Sequence, residues 1–262
     1  MKNIKLIIAY DGTRYNGWQK QGNTKNTIQE KLEETISKLV GEEIEIAGSG
    51  RTDAGVHAIG QVANFKIKEE LIKRFSSDEE EKDFSWALKQ FHKELNGYLP
   101  MDIRIIDVQE VKERFHARLN AVGKHYSYRI DNGEVANIFL RKYLTRIDES
   151  LDLEKMRLGA KRLVGEHDFM SFCANKKMKK STVRNVTKID ITDNEGIIKI
   201  DFYGNGFLYN MIRIMVGTLI EIGLSKRSPE DIDRILEAKC RAEAGYLAPA
   251  NGLFLEEVYY EI

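Results

Sequence analysis

Residues 48–58 read GSGRTDAGVHA, with three glycines set among Arg51, Asp53 and His57. Glycine lets a backbone turn sharply or lie against another segment. Charged side chains held in such a loop are commonly presented to a substrate. An Asp in a glycine loop is most often a turn residue. Arg51 two positions earlier and His57 four positions later favour a functional reading without naming a reaction. The loop has neither the P-loop spacing nor the dinucleotide-binding fingerprint.

The flanks locate the loop. Ile44 and Ile46 alternate with glutamates, predicting a half-buried strand up to Gly48, and QVANFKI at 61–67 alternates again. Asp53 is therefore expected at the rim of a sheet. Upstream, the apolar run Ile4 to Tyr10 predicts a strand ended by Asp11-Gly12. Thr27-Ile28-Gln29-Glu30 fits a capping box. It opens a helix with Ile28, Leu32, Ile36 and Leu39 on one face and Gly41 as its stop. Downstream, the acidic residues 69–83 read as a surface excursion. A helix around Trp86 to Leu95 and a strand at Ile103 to Val111 follow.

The second half repeats this order. Strands are expected at Gly123–Ile130, Val186–Thr192 and Ile197–Tyr203, the last two joined across Asp193-Asn194-Glu195-Gly196. Helices are expected at Leu153–Val164 and Phe207–Leu224, with another opened by Ser228 as cap and Pro229 in first helical position. Leu253–Tyr260 closes the chain as a strand. Strands and helices in this succession predict an α+β fold with layered sheet and helices, and a boundary near 112–122.

Composition bounds the function. The 262 residues are 42% hydrophobic and 31% charged, those of a soluble globular protein. MKNIKLIIAYDG lacks the length and cleavage site of a signal peptide. Cys173 and Cys240 form neither a metal-ligand motif nor a disulfide framework, which fits a reduced cytoplasmic protein. With 41 basic and 41 acidic residues the net charge is zero, so nucleic-acid binding would need a local positive field. The run Lys176-Lys177-Met178-Lys179-Lys180 is one such field, although a lone basic run is more often a solvated loop.

Two further segments stand out. GNGFLYNMIRIMVGTLIEIGL at 204–224 is strongly apolar but carries Asn210, Arg213 and Glu221, which fits a core helix rather than a membrane span. Arg213 sits among apolar neighbours. Either a carboxylate pairs with it or its stem snorkels to water. In GKHYSYRI at 123–130, period two puts Tyr126, Tyr128 and Ile130 on one face and His125, Ser127 and Arg129 on the other. Such tyrosines pack a core, or one stacks on a nucleobase.

GRTDAGVHA closely resembles the central motif of the A-type tRNA pseudouridine synthases. The likeness continues in family order: AYDGTRYNGWQKQ (9–21), TIQEKLE (27–33), LNGYLPMDIRI (95–105), FHAR (115–118), KHYSYRI (124–130), EHDFMSF (166–172), STVRNV (181–186), the Arg213 helix, and LAPANGLFLEEVYY (247–260). LAPA stands where TAPA is more usual, and Cys173 where the family often has Arg. The acidic stretch near 70–83 resembles an insertion.

The resemblance implies an isomerase that converts uridine to pseudouridine at positions 38, 39 and 40 of the tRNA anticodon stem-loop. The alternative is a related synthase acting on another tRNA site or another RNA. It implies Asp53 as the catalytic aspartate and Arg51 as the arginine that displaces the target base. Tyr126 would pack against the flipped uracil and act as general base, Arg213 would pair with the aspartate, and His57 would lie in the substrate site. Arg14, Lys20, Lys25, Lys176, Lys177, Lys179 and Lys180 are candidate tRNA contacts. No metal or organic cofactor is implied, and neither membrane nor DNA as partner. The family's homodimer and its two similar α+β lobes, joined into one extended, mostly antiparallel sheet with a central active-site cleft, are expected here. The lobes would span 1–115, carrying the Asp loop and a surface insertion at about 69–85, and 116–262, carrying the Tyr strand and the Arg helix.

Overall fold

β1 (Lys2–Tyr10) alternates strictly: Ile4, Leu6, Ile8 and Tyr10 are buried, while the residues between them are partly exposed, apart from Asn3. A one-residue slip would turn all four apolar side chains to the opposite face. The computed structural model describes residues 1–76, 83–175 and 180–261. Its contacts divide the chain into two compact units, Met1–Ala121 with Leu255–Ile262, and Val122–Phe254. Both combine mostly antiparallel strands with helices, an α+β fold.

In the first unit β1 lies between β4 (Ile103–Val111) and β3 (His57–Ile67), antiparallel to both. The last strand, Leu253–Tyr260, lies on the other side of β3. α1 (Ile28–Val40) begins where the Thr27 side chain accepts the Glu30 N–H and ends at Gly41, whose φ is 76°. Its buried apolar face is Ile28, Leu32, Ile36 and Val40, with Val40 in the place expected of Leu39.

Ile44 and Ile46 are buried as expected but form no strand. Side chains of α1 take their amides: the Ile44 N–H donates to Ser37 Oγ at 2.9 Å and the Ile46 N–H to Glu33 Oε1 at 3.1 Å. Only β2 (Ala47–Gly48) pairs, with β3. The stretch expected as a surface excursion contains a short helix, α2 (Glu69–Lys73), that buries Leu71 and Ile72. Residues 77–82 lie outside the described residues. α3 (Phe84–Tyr98) is locked to β4 by Asn96, whose side chain exchanges two 2.8 Å hydrogen bonds with the Ile105 backbone.

In the second unit β5 (Ala121–Asp131) carries a short parallel partner, β6 (Thr145–Arg146). α4 (Leu153–Leu163) and β7 (Gly165–Asp168) follow, then β8 (Val183–Asn194) and β9 (Ile197–Gly204). The sheet order is β5-β9-β8-β7. β8 and β9 meet at Glu195-Gly196, where both φ angles are positive, the geometry of a two-residue hairpin turn.

α5 (Met211–Gly223) is buried along most of its length. It starts four residues later than expected because Asn210 is left-handed, with φ 61°. α6 (Asp231–Ala238) also starts late. Ser228 does not cap it with its side chain. The Ser228 N–H instead donates to Asp231 Oδ2 at 3.0 Å, closing a turn ahead of the helix. β10 (Leu253–Tyr260) ends the chain as expected. Among the described residues no helix is long and apolar enough to cross a membrane. Cys173 is buried, Cys240 is exposed, and neither is in a disulfide.

Candidate active site

The loop before β3 is tied down on both sides of Asp53. The Ser49 N–H donates to the Val62 carbonyl at 2.7 Å, the Trp18 N–H to the Thr52 carbonyl at 3.0 Å and the Val56 N–H to the Asp53 carbonyl at 3.1 Å. Gly12 lies so close that a Cβ there would meet the Val56 carbonyl oxygen at 2.0 Å. Gly55 has φ 79°, a region that favours glycine. The glycines thus let residues 12–18 run in backbone contact with residues 52–56.

Side chains along the loop divide by environment. Ser49, Thr52 and His57 are buried, Asp53 is half-buried and Arg51 is exposed. Arg51 Nε donates to Gln19 Oε1 at 3.1 Å, and Gln19 is itself bonded to Gln29 of α1. His57 Nδ1 accepts the Gly12 N–H at 3.0 Å, with Asp11 Oδ1 at 3.2 Å from the same nitrogen. This ring braces the loop against the Asp11-Gly12 turn.

Beneath the loop runs a hydrogen-bonded group that the sequence reading did not single out. Tyr10 OH and Thr52 Oγ1 are 2.7 Å apart. Ser49 Oγ donates to Gln61 Oε1 at 2.7 Å, and Gln61 Nε2 donates to the Gly50 carbonyl at 3.2 Å and to Tyr10 OH at 3.5 Å. A signal existed: Gln61 shares its strand face with Ala63, Phe65 and Ile67, all buried. A polar residue in register with an apolar face needs a buried partner. Burial pushes the Tyr10 hydroxyl well above its ordinary pKa, against the opposing hydrogen bonds from Thr52 and Gln61, so it stays a neutral phenol.

Asp102, just ahead of β4, was also missed. It accepts the Tyr15 hydroxyl at 2.6 Å on Oδ1, and Arg14 Nε and Nη2 at 3.1 and 2.6 Å on Oδ2. Partial burial acts to raise the Asp102 pKa. The Tyr15 and Arg14 hydrogen bonds outweigh it, leaving a net depression.

Tyr126 and Arg213 belong to the second unit. Tyr126, on β5, is buried opposite Phe202 of β9, with Phe207 edge-on at 5.4 Å. Tyr128 is fully buried, its hydroxyl 2.6 Å from Thr145 Oγ1 and donating to the Pro249 carbonyl at 2.8 Å. Arg213, half-buried on α5, donates from Nε to the Ala248 carbonyl at 2.7 Å and from Nη1 to Asn210 Oδ1 at 3.2 Å. Arg213 and Tyr128 thereby hold consecutive carbonyls of the LAPA segment. A cavity of about 410 Å³ in this unit lies among Asp131, Arg141, Arg146 and Asn251, and neither Tyr126 nor Arg213 lines it.

Of the candidate tRNA contacts, Arg14, Lys20 and Lys25 belong to the first unit and Lys180 to the second. Arg14 is held on Asp102, and Lys20 stands 3.3 Å from Glu33 and 3.7 Å from Glu30. Lys25 and Lys180 are exposed. Lys176, Lys177 and Lys179 lie outside the described residues.

The chain is 47% identical over 260 residues to the tRNA pseudouridine synthase A of Bacillus sp. (strain KSM-64), covering 99% of this chain and 100% of that protein. It is 48% identical, with the same coverage, to a tRNA pseudouridine synthase A 2 of Bacillus cereus (strain ATCC 14579). To one from Clostridium tetani it is 44% identical, covering 99% of both. A chain from the solved structure of a Cbf5-Nop10-Gar1 complex matches at a TM-score of 0.35 and 12% identity, over 83% of this chain and 45% of its own, too remote to argue from. The family profile described as tRNA pseudouridine synthase matches residues 6–120 and 160–261. Asp53 and its braced loop fall inside the first matched stretch, Arg213 and LAPA inside the second, and the chain belongs to the tRNA pseudouridine synthases, enzymes that isomerise uridine to pseudouridine in tRNA.

Proposed function

We propose that this protein isomerises uridine at positions 38, 39 and 40 of the tRNA anticodon stem-loop, with Asp53 as the catalytic carboxylate. The observation that carries this reading is the build of its loop. The backbone of Thr52 and of Asp53 is hydrogen-bonded, Thr52 is buried, and Asp53 stays half-buried within the family's motif. Pre-set geometry of that kind is what a reacting group requires.

In the reaction the C1′–N1 bond breaks, a C1′–C5 bond forms, the C5 proton leaves and N1 takes one up. A stem uridine must first leave its stack. Arg51, exposed and steered by Gln19, fills the space it vacates. Asp53 reacts as the carboxylate, and Arg213 pairs with it, since a neighbouring guanidinium favours the charged form. Tyr126 packs on the uracil and accepts the C5 proton. Enclosure keeps the detached base from water. His57 holds its end of the loop beside the substrate. The protein acts on tRNA as a cytoplasmic homodimer without metal or organic cofactor. Arg14, Lys20, Lys25 and the 176–180 lysines contact the tRNA.

The test is tritium release from unmodified tRNA labelled at uracil C5, with wild type and Asp53→Asn. Release by the wild type alone supports the reading, and its loss when residues 38–40 are cytidine supports the position. Substantial turnover by Asp53→Asn overturns the role of Asp53. Release that survives the cytidine substitutions, or that needs another RNA, points to a synthase of different site choice.

A further inference from the structure

Loop residues 49–53 carry two kinds of side chain. Ser49 and Thr52 turn into the unit and are buried, while Arg51 is exposed and Asp53 half-exposed. Backbone hydrogen bonds at Ser49 and Thr52 fix the main chain of this segment, and side chains from the strands below hold its inward members. The holders are Gln61 of β3 and Tyr10 of β1.

The proton order in this group follows from its fixed ends. Gln61 Oε1 accepts the Val62 N–H at 3.1 Å, and Gln61 Nε2 faces the Gly50 carbonyl at 3.2 Å. A backbone N–H only donates and a carbonyl only accepts, so these two contacts set the amide orientation. Gln61 Nε2 is then the donor to Tyr10 OH. The Tyr10 hydroxyl, neutral and already accepting there, donates to Thr52 Oγ1 at 2.7 Å. The chain ends on the residue next to Asp53. Four polar side chains are thereby satisfied away from water, where such a group rigidifies its surroundings. The ring of Tyr10 is in turn held by Trp18, with centroids 6.1 Å apart.

We infer that Tyr10 and Gln61 are positioning residues for catalysis: through Thr52 and Gly50 they set the direction in which Asp53 and Arg51 leave the loop. Neither needs to touch the substrate. The inference rests on Asp53 being the catalytic carboxylate.

Tyr10→Phe removes one oxygen and keeps the ring against Trp18. Thr52→Val removes the other hydroxyl at constant shape, and Thr52→Ser keeps it. Steady-state kinetics on tRNA transcript should show kcat down about 10- to 100-fold for Tyr10→Phe and for Thr52→Val, with KM within about two-fold, because a misaimed group costs rate rather than binding. Thr52→Ser should recover most of kcat. Tyr10→Phe with Thr52→Val together should cost little more than either alone, since both cut one contact. A purely structural role predicts a lower Tm with kcat intact below the transition, and that result overturns the inference. Loss of the native thermal transition in both single variants also overturns it, in favour of a folding element. Asp53→Asn is measured alongside. If it is inactive while Tyr10→Phe and Thr52→Val keep full kcat, only this inference fails. If Asp53→Asn retains turnover, the catalytic assignment fails and this inference with it.

Discussion

The Tyr15 hydroxyl donates to Asp102 Oδ1 at 2.6 Å, across 87 positions of sequence. The Tyr15 carbonyl in turn receives the Gly55 N–H at 3.4 Å, so the turn ahead of β4 braces the Asp53 loop through one intermediate residue.

That contact has a definite pH dependence. The Asp102 pKa is depressed in the folded protein, because the Tyr15 and Arg14 hydrogen bonds outweigh the raising effect of burial. A depressed carboxyl stabilises the fold fully above its unfolded pKa, about 3.9, and loses that contribution as pH falls through the folded value. Asp102→Asn should cost about 1–2 kcal/mol at pH 7. Urea titrations should find this gap constant from neutrality down to about pH 5 and closing below about pH 4. A gap independent of pH would remove Asp102 as the charged brace.

Gly12→Ala should be among the most damaging small substitutions in the first unit. The added Cβ meets the Val56 carbonyl oxygen at 2.0 Å, and the obstacle is backbone. Residues 12 and 56 must separate, at a cost of about 1–3 kcal/mol or more. Tm should fall, and turnover should fall further than Tm explains, because Asp53 sits in the displaced loop. A neutral Gly12→Ala would mean that the close approach does not hold in solution.

Arg213→Ala removes the donor to the Ala248 carbonyl and to Asn210. An acceptor left without its donor predicts a loss of about 1–3 kcal/mol in chemical denaturation. Arg213→Lys keeps the charge but not the forked geometry, and should recover only part of that loss. Full stability in Arg213→Ala would show that LAPA is held by other contacts.

Tyr126→Phe and Tyr126→Ala separate packing from hydroxyl chemistry. Phe keeps the edge-on contact with Phe207, so it should lose less stability than Ala. Ala opens a hole in a buried site and should cost about 3–5 kcal/mol. If Tyr126 stacks on uracil and takes the C5 proton, Phe should lose kcat with KM unchanged and Ala should lose both. Equal kinetic losses in the two variants would argue against stacking.

Much of the fold was legible because its causes are local. The buried face of β1 follows from alternation at Ile4, Leu6 and Ile8, and the ends of α1 from Thr27 and Gly41. Strands Ile103–Val111 and Leu253–Tyr260 lie where their patterns put them. Errors came where a distant side chain took a local amide. Ile44 and Ile46 have a strand's pattern, but Ser37 and Glu33 of α1 bind their N–H groups. At Ser228 the capping rule met a competing acceptor, Asp231.

The sequence by itself determined that this chain is an α+β protein, that a charged glycine loop stands between α1 and a strand, and that its motifs are those of a tRNA pseudouridine synthase. Those facts rest on spacing within a few residues and on short motifs that are complete in the sequence itself. Only the tertiary structure decided what holds the loop. Tyr10 and Thr52 are 42 positions apart, and Tyr10 and Gln61 are 51 apart. No periodicity links such positions. A hydrogen bond needs its atoms within about 3 Å, and only the packing of β1 on β3 brings these residues that close.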